Sequence, residues 1–458
     1  PLWCYNARVL VLSRMRKYLK FLVILVPLFC ILSSFTYFLP PVNDRLAWRV
    51  DEFILGVKYK LNPPAQAVFV PVAQLTSTAQ ITPNLPPAGA TKVTITSLPT
   101  STPAPVNTAQ AKANTPTATL DPTITPTALP DRVALSGVRY TDQHGRLNYC
   151  APANLTMAVT YWGWDGARNE VGEAVKPDER DKNVMPYELA DYVLENTDLG
   201  VVTRVGGDIE LLKRLLSAGF VVLLEKGTYL VDLSNVYSWM GHYQVLTGYD
   251  ETEEKFIAQD SYTGPDWDVP NDVLIEGWRA FNYTYLVIYP REKEAQVMEL
   301  LGPDADEITN YQNAAAKASN EIMGLTGIDQ YFAWFNRGSS LMRLQDYAGA
   351  AAAFDEAFAI YPTIPEAERP WRTLWYRTEP YFAYFYAERY WDVIYLADTT
   401  LNAMQSEKGI EESYYWRGMA KAALGDTYGA IEDYRQSLEY HPDFGPSIYQ
   451  LTQLGVEP

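Results

Sequence analysis

The chain of 458 residues carries a net charge of -18 and a pI near 4.7, with 48% hydrophobic and 13% aromatic residues. That length suffices for two or three domains with real cores. The acidic balance argues against nucleic acid as a partner, because phosphate binding needs clustered Lys and Arg. The cysteines Cys4, Cys30 and Cys150 and the histidines His144, His242 and His441 are too scattered for a disulfide framework or an evident zinc motif. No cofactor or metal is expected.

Phe21 to Leu39 is a 19-residue uncharged apolar run, about long enough as a helix to cross the roughly 30 Å hydrocarbon core. Arg8, Arg14, Arg16, Lys17 and Lys20 precede it with no acid among them, whereas Asp44, Arg45, Arg49, Asp51 and Glu52 mix both signs after it. This bias places the N-terminus in the cytoplasm and the rest outside. Pro27 does not exclude spanning, and no A-x-A-like cleavage site follows, so a membrane anchor is favoured over a signal peptide. Phe29 before Cys30 argues against a lipoprotein. Met15 is the first methionine, which makes residues 1–14 a candidate upstream extension. Leu46, Val50, Phe53, Ile54, Val57 and Leu61 form a helical apolar stripe, readable as a membrane-surface helix or as a packing helix. Residues 91–130 hold 12 Thr and 7 Pro against three charged residues, a composition that cannot bury a core. The expected layout is a cytoplasmic N-terminus over 1–20, a transmembrane helix over 21–39, a juxtamembrane segment over 40–73 and a disordered stalk over 74–130.

From Val133 to Pro290 helix and strand signals alternate. Helices are predicted over 152–162, 186–195 and 208–218, with Gly163 and Gly219 as stops. Strands are predicted over 220–224, 242–249, 256–260 and 283–289. One early helix followed by strands predicts an α+β domain. Pro152 suits the first helical position, which sets Cys150 just outside the helix, with its sulfur near the positive end of the dipole. His242 opens a strand, and Asp260 ends the next. In a hairpin centred on residues 251–252 the two lie opposite or nearly so, with Cβ atoms about 4.5–5.5 Å apart. Alone, each residue has a plainer reading: a buried small thiol, a capping histidine, an aspartate that ends a strand. Together they supply a nucleophile, its base and the orienter of that base. Gln143 can add a side-chain N–H₂ beside the Cys150 backbone N–H for an oxyanion.

The ordered set Gln143, Cys150-Ala-Pro-Ala, Gly-His242-Tyr-Gln-Val and Gln-Asp260 resembles the papain-clan cysteine peptidases related to the bacteriocin-leader-processing domains. The resemblance implies a papain-like cysteine peptidase domain over 131–291, with Cys150 as nucleophile, His242 as general base and acid, Asp260 as orienter and Gln143 as oxyanion donor. It departs at one residue. The family has Gly after the cysteine, and this chain has Ala151, which would be strained if that position needed φ > 0.

Further on, Trp334, Gly338, Ala350, Phe354, Ala357 and Pro362 occupy positions 4, 8, 20, 24, 27 and 32 of a unit starting at Tyr331. Tyr414, Gly418, Ala430, Tyr434, Ser437 and Pro442 hold the same places in a unit starting at Glu411. The pattern resembles the tetratricopeptide repeat, a helix–turn–helix of about 34 residues. It implies an all-α solenoid over 331–458, reached through a helical connector over 292–330. A middle unit near 374–404 is degenerate, and its aromatic cluster reads as packing between helices rather than as a peptide groove.

The expected activity is hydrolysis of peptide bonds outside the membrane, with a peptide or protein substrate at the thiol, a protein partner on the repeats and the membrane as a partner of the N-terminal helix. Two other readings stand beside it: an inactive papain-like domain serving with the repeats as a surface scaffold, and a thiol-dependent acyltransferase or amidase.

Overall fold

The computed structural model describes residues 49–50, 53–54, 56–58, 60–61, 68–72, 128–178, 181–231, 237–404 and 409–458. Among these, no helix is long and apolar enough to cross a membrane. The expected span at 21–39, with Cys4 and Cys30, lies outside the described residues, as does the expected stalk up to residue 127. Of the apolar stripe, Val50, Phe53, Ile54, Val57 and Leu61 are described, helical and exposed; Leu46 is not described.

The first domain runs in the order β1 Arg132–Ala134, α1 Cys150–Thr160, α2 Arg168–Val175, α3 Pro186–Asn196, β2 Leu199–Arg204, α4 Ile209–Ser217, β3 Val222–Val231, β4 Tyr237–Asp250, β5 Lys255–Asp260, β6 Gly264–Pro270, α5 Asn271–Arg279 and β7 Tyr285–Pro290. The strands form one antiparallel sheet in the order β2-β7-β3-β4-β5-β6, with β1 alongside β4. Alternation along β3 sorts its residues between two cores. Val221 and Leu223, with Tyr243 and Val245 of β4, face α1 and α3. Val222 and Leu224, with Leu246, face α4.

Ten of the 11 residues of helix α1 are buried, as befits a helix enclosed on every side. Ala151, Ala153 and Ala158 are the small residues in it that permit close packing on the sheet. Helix α4 is instead amphipathic. Asp208 caps it by accepting from the Leu211 N–H at 2.7 Å, and Leu211, Leu212, Leu215 and Leu216 are buried beneath it. Burying each such leucine contributes about 1.5–3 kcal/mol.

Several expected boundaries move. The strand expected to open at His242 begins at Tyr237, so His242 sits inside β4. Helix α1 begins at Cys150 rather than at Pro152. Strands β1, β2 and β6 and helices α2 and α5 were not anticipated. Each is only three to nine residues long, too short for periodicity to separate it from a loop.

The second region continues with α6 Glu294–Leu301, α7 Glu307–Ile322, α8 Gly327–Arg343, α9 Tyr347–Ile360, α10 Thr373–Tyr376, α11 Glu379–Tyr386, α12 Tyr390–Ala403, α13 Glu411–Ala423, α14 Thr427–Tyr440 and α15 Gly445–Gln453. The pairs α8/α9 and α13/α14 are built alike. A Cβ on Gly338 would come within 2.8 Å of the Phe354 ring, and one on Gly418 within 2.8 Å of the Tyr434 ring, so each glycine lets two helices close. Asp346 caps α9 and Asp426 caps α14, each through a glycine N–H at 2.9 Å.

The degenerate middle unit differs because it is docked on the sheet domain. Arg372 Nη1 donates to Ser238 Oγ at 2.7 Å and to the Trp239 carbonyl at 3.0 Å, and Arg377 Nη1 donates to the Ala280 carbonyl at 2.8 Å. Trp239 stacks with Phe281 at 5.9 Å and with Phe332 of α8 at 5.6 Å. One apolar core therefore runs from the sheet into the helices. Phe69 joins it, 4.9 Å from the Phe358 ring centre.

Candidate active site

Cys150 is the first residue of α1, and its thiol is partly exposed. The first turn closes with the Ala153 N–H donating to the Tyr149 carbonyl at 3.2 Å. The N–H groups of Cys150 and Ala151 precede that bond, and Pro152 has none to leave unpaired. Pro152 is thus the third helical residue, not the first, yet still inside the turn where proline is tolerated. Ala151 is helical and is not among the residues with positive φ, so the strain anticipated there does not arise. Its methyl is buried against the sheet.

Strand β4 carries His242 to within 3.1 Å of Asp260, through Nε2 and Oδ2, with both side chains buried. They are not directly opposite each other. The register pairs Val245 with Gln259, which sets Asp260 across from Gln244 and makes His242 a diagonal neighbour on the same face. A bulge between Leu246 and Gly248 decides this. Without it, the register of the hairpin end (Tyr249 with Phe256) would set Asp260 across from Val245, on the other face of the sheet.

Every oxygen of Asp260 is held. Gln244 Nε2 donates to Oδ2 at 2.8 Å, and the N–H groups of Tyr262 and Thr263 donate to Oδ1 at 2.9 and 2.8 Å. Burial alone would raise this carboxyl. The charge and hydrogen bond of His242, with Lys226 and the Thr263 N–H, outweigh it and hold the group well below the usual carboxylate range. Burial likewise opposes the imidazolium of His242. The charge and hydrogen bond of Asp260, then the neighbouring Cys150, outweigh it, and His242 is pushed up to about 9. With Nε2 engaged by Asp260, Nδ1 is left for the thiol.

Gln143 is positioned by a relay that the sequence did not reveal. Asn154 Nδ2 donates to Ser261 Oγ at 2.7 Å, and Ser261 donates to Gln143 Oε1 at 2.7 Å. The Gln143 N–H also donates to the Ser261 carbonyl at 3.0 Å. With its oxygen tied back, the amide N–H₂ of Gln143 is the end left for a ligand. The structure therefore gathers all four expected residues. It adds Gln244, Asn154, Ser261, Glu225 and Tyr376. Two of these had a readable signal: Gln244 is two residues from His242 on one strand face, and Asn154 is one helical turn from Cys150. Ser261, Glu225 and Tyr376 had none.

Gln143, Cys150, Ala151, Glu225, His242 and Tyr376 are among the residues around a cavity of about 90 Å³. Tyr376 comes from the degenerate repeat, and its ring lies so close to Gly241 that a Cβ there would meet it at 2.9 Å. The buried carboxyl of Glu225 is raised by burial, against the lowering effect of Arg377.

Residues 135–286 match the model of the Peptidase_C39 like family, and residues 331–364 and 411–444 each match a tetratricopeptide repeat model. Among solved structures, one described as a C39-like peptidase from Bacillus anthracis is 19% identical, with a TM-score of 0.29, over 35% of this chain and 98% of that one. Xylellain, a cysteine protease from Xylella fastidiosa, is 16% identical, with a TM-score of 0.28, over 35% of this chain and 87% of its own. No curated protein sequence matches the chain. The repeat matches begin at Tyr331 and Glu411, the residues at which the spacing of Gly, Ala, aromatic and Pro positions starts each unit. The chain carries a domain of the C39-like peptidase type, followed by two tetratricopeptide repeats.

Proposed function

We propose that this protein is a cysteine peptidase that cleaves peptide bonds through Cys150, His242, Asp260 and Gln143. The observation that carries the reading is the Nε2–Oδ2 bond of 3.1 Å between His242 and Asp260 at the thiol end of α1. It keeps an imidazolium beside the sulfur at neutral pH, the setting in which a thiolate is stabilised. The Cys150 thiolate attacks the carbonyl carbon of the scissile bond, and the oxyanion faces the Cys150 N–H and the Gln143 N–H₂. His242 delivers its proton to the leaving amine, which departs and leaves a thioester. His242 then takes a proton from water, whose hydroxide attacks the thioester. The adduct breaks its C–S bond, the carboxylic acid leaves, and the Cys150 thiolate is restored beside the protonated His242.

Residues 21–39 anchor the protein in this reading, with the peptidase and repeats outside the membrane and the repeats binding a protein partner. The supports are the length of the apolar run and its basic flank. Alkaline extraction and protease accessibility in intact cells test the anchor.

The cavity favours a second reading. At about 90 Å³, with Tyr376 in its wall, it is far below the roughly 300–1,000 Å³ of ordinary ligand pockets. In that reading the domain is a closed scaffold. One experiment separates the two. A thiol-directed probe and a library of unfolded protein substrates are applied to the wild type and to Cys150→Ala. Labelling and cleavage that vanish in the variant support the peptidase. A folded wild type that neither labels nor cleaves leaves the scaffold.

A further inference from the structure

Where the last repeat meets the peptidase domain, four carboxylates and a histidine are brought together. The Lys182 N–H donates to the Gly409 carbonyl at 3.0 Å, which lays the segment after Asp181 along the approach to α13. Asp181 is 1% exposed, and beside it lie Glu411 and Glu412, 1% and 5% exposed at the head of α13. Glu188 reaches in from α3. His441, at the end of α14, sets Nδ1 3.0 Å from Glu411 Oε1 and 3.9 Å from Glu188 Oε1. One potential ligand atom from each of Asp181, Glu411 and His441 lies within 4.8 Å of the other two.

The remaining partners are unevenly shared. Asn183 Nδ2 donates to Glu412 Oε1 at 3.2 Å, and the Met185 N–H donates to Glu188 Oε2 at 2.6 Å. Among the described residues, Glu411 Oε2 is buried and accepts no hydrogen bond. A buried carboxylate oxygen without a donor is costly and calls for a partner. The carboxylates of Glu188 and Glu411 thus crowd one imidazole. A proton relieves such crowding between two atoms, whereas here three ligand atoms from three different elements converge. Imidazole and carboxylate together are the donor set of first-row divalent cations.

We propose that Asp181, Glu411 and His441 bind a first-row divalent cation, with Glu188 as a further oxygen in reach, and that the ion ties the last repeat to the peptidase domain. The thiol is not one of the ligands, and the proposal does not depend on peptidase activity. The test uses the full chain carrying Cys150→Ala, so that sulfur cannot capture the ion. The protein is stripped with a chelator and titrated calorimetrically with ZnCl₂ and, separately, with MnCl₂. Saturable binding of one ion per chain by at least one salt, with a rise in Tm on loading, is expected. Glu411→Gln and His441→Ala should each weaken binding by at least about tenfold and remove the Tm rise. Lack of saturable binding by both salts overturns the proposal, as does binding that both substitutions leave unchanged. If circular dichroism finds a variant unfolded, the titration and Tm shift of the parent chain decide the matter.

Discussion

Two clusters of buried ionisable groups lie where the peptidase domain meets the repeats, with Asn183 lining the thiol cavity and also donating to Glu412, and they are built on opposite principles. At the thiol, the carboxylate of Asp260 is met by His242, Gln244, two backbone N–H groups and the charge of Lys226. At the last repeat, Asp181, Glu188, Glu411 and Glu412 crowd around His441, and burial with mutual repulsion raises Asp181, Glu188 and Glu412. Burial is common to both. What differs is the supply of donors, and that sets whether a buried carboxyl is held ionised for orienting a base or is driven toward taking up a proton or a cation.

The largest expected effect breaks the first cluster at its centre. Asp260→Asn keeps the shape but removes the charge, and kcat should fall by about 10⁴-fold if Asp260 orients His242 as in other triads. The alkaline limb of kcat/KM, expected near 9 from His242, should move to lower pH in this variant. Gln143→Ala should lower kcat by about 10²–10³-fold. Ser261→Ala only loosens the Gln143 amide and should cost about tenfold. A Ser261→Ala variant with wild-type kcat would show that the relay does not position Gln143.

The two clusters should also pull stability in different directions with pH. His242 is raised, so its pairing with Asp260 contributes fully below its ordinary value of 6.5 and is lost as pH climbs through about 9. Asp260 is depressed, so its contribution is present above its ordinary 3.8 and is lost only as pH falls below the usual carboxylate range. Glu188 is raised from 4.5 to about 8. The folded chain therefore holds a proton that the unfolded chain releases, and stability declines from about pH 4.5 to about pH 8. Urea midpoints of chelator-treated protein should show this decline flattened in Glu188→Gln, and the later decline toward pH 9 flattened in Asp260→Asn. The smallest effect is expected from Tyr376→Ala, which opens the cavity beside Cys150. A rise of about two- to fivefold in kcat/KM for peptides with bulky side chains is expected, with small peptides unaffected.

Much of the thiol site was legible because chemistry restricts it to few residue types. A lone cysteine before a helix, a histidine in a strand and an aspartate closing the next are readable from order and spacing. The geometry between them was not. The alignment of Asp260 with His242 depends on the bulge after Leu246, and periodicity carries no mark of a single inserted residue. Ala151 is free of backbone strain for a similar reason: φ at the start of α1 follows from how the helix docks, not from the residue type.

The repeats divide in the same way. The two regular units were readable because a glycine facing an aromatic ring recurs at fixed spacing, Gly338 on Phe354 and Gly418 on Tyr434. The middle unit was unreadable as a repeat because its Arg372, Tyr376 and Arg377 answer to the sheet domain instead of to neighbouring helices. Local pattern reports what a residue's near neighbours in the chain require. It is silent where the partner is distant: His441 meets Glu188, and Tyr376 meets Gly241, only after two domains have packed. The candidate thiol and histidine and the repeat periods were therefore written in the chain. The face on which Asp260 stands, the narrowed cleft and the carboxylate cluster came from tertiary packing, because each depends on contacts between segments far apart in sequence.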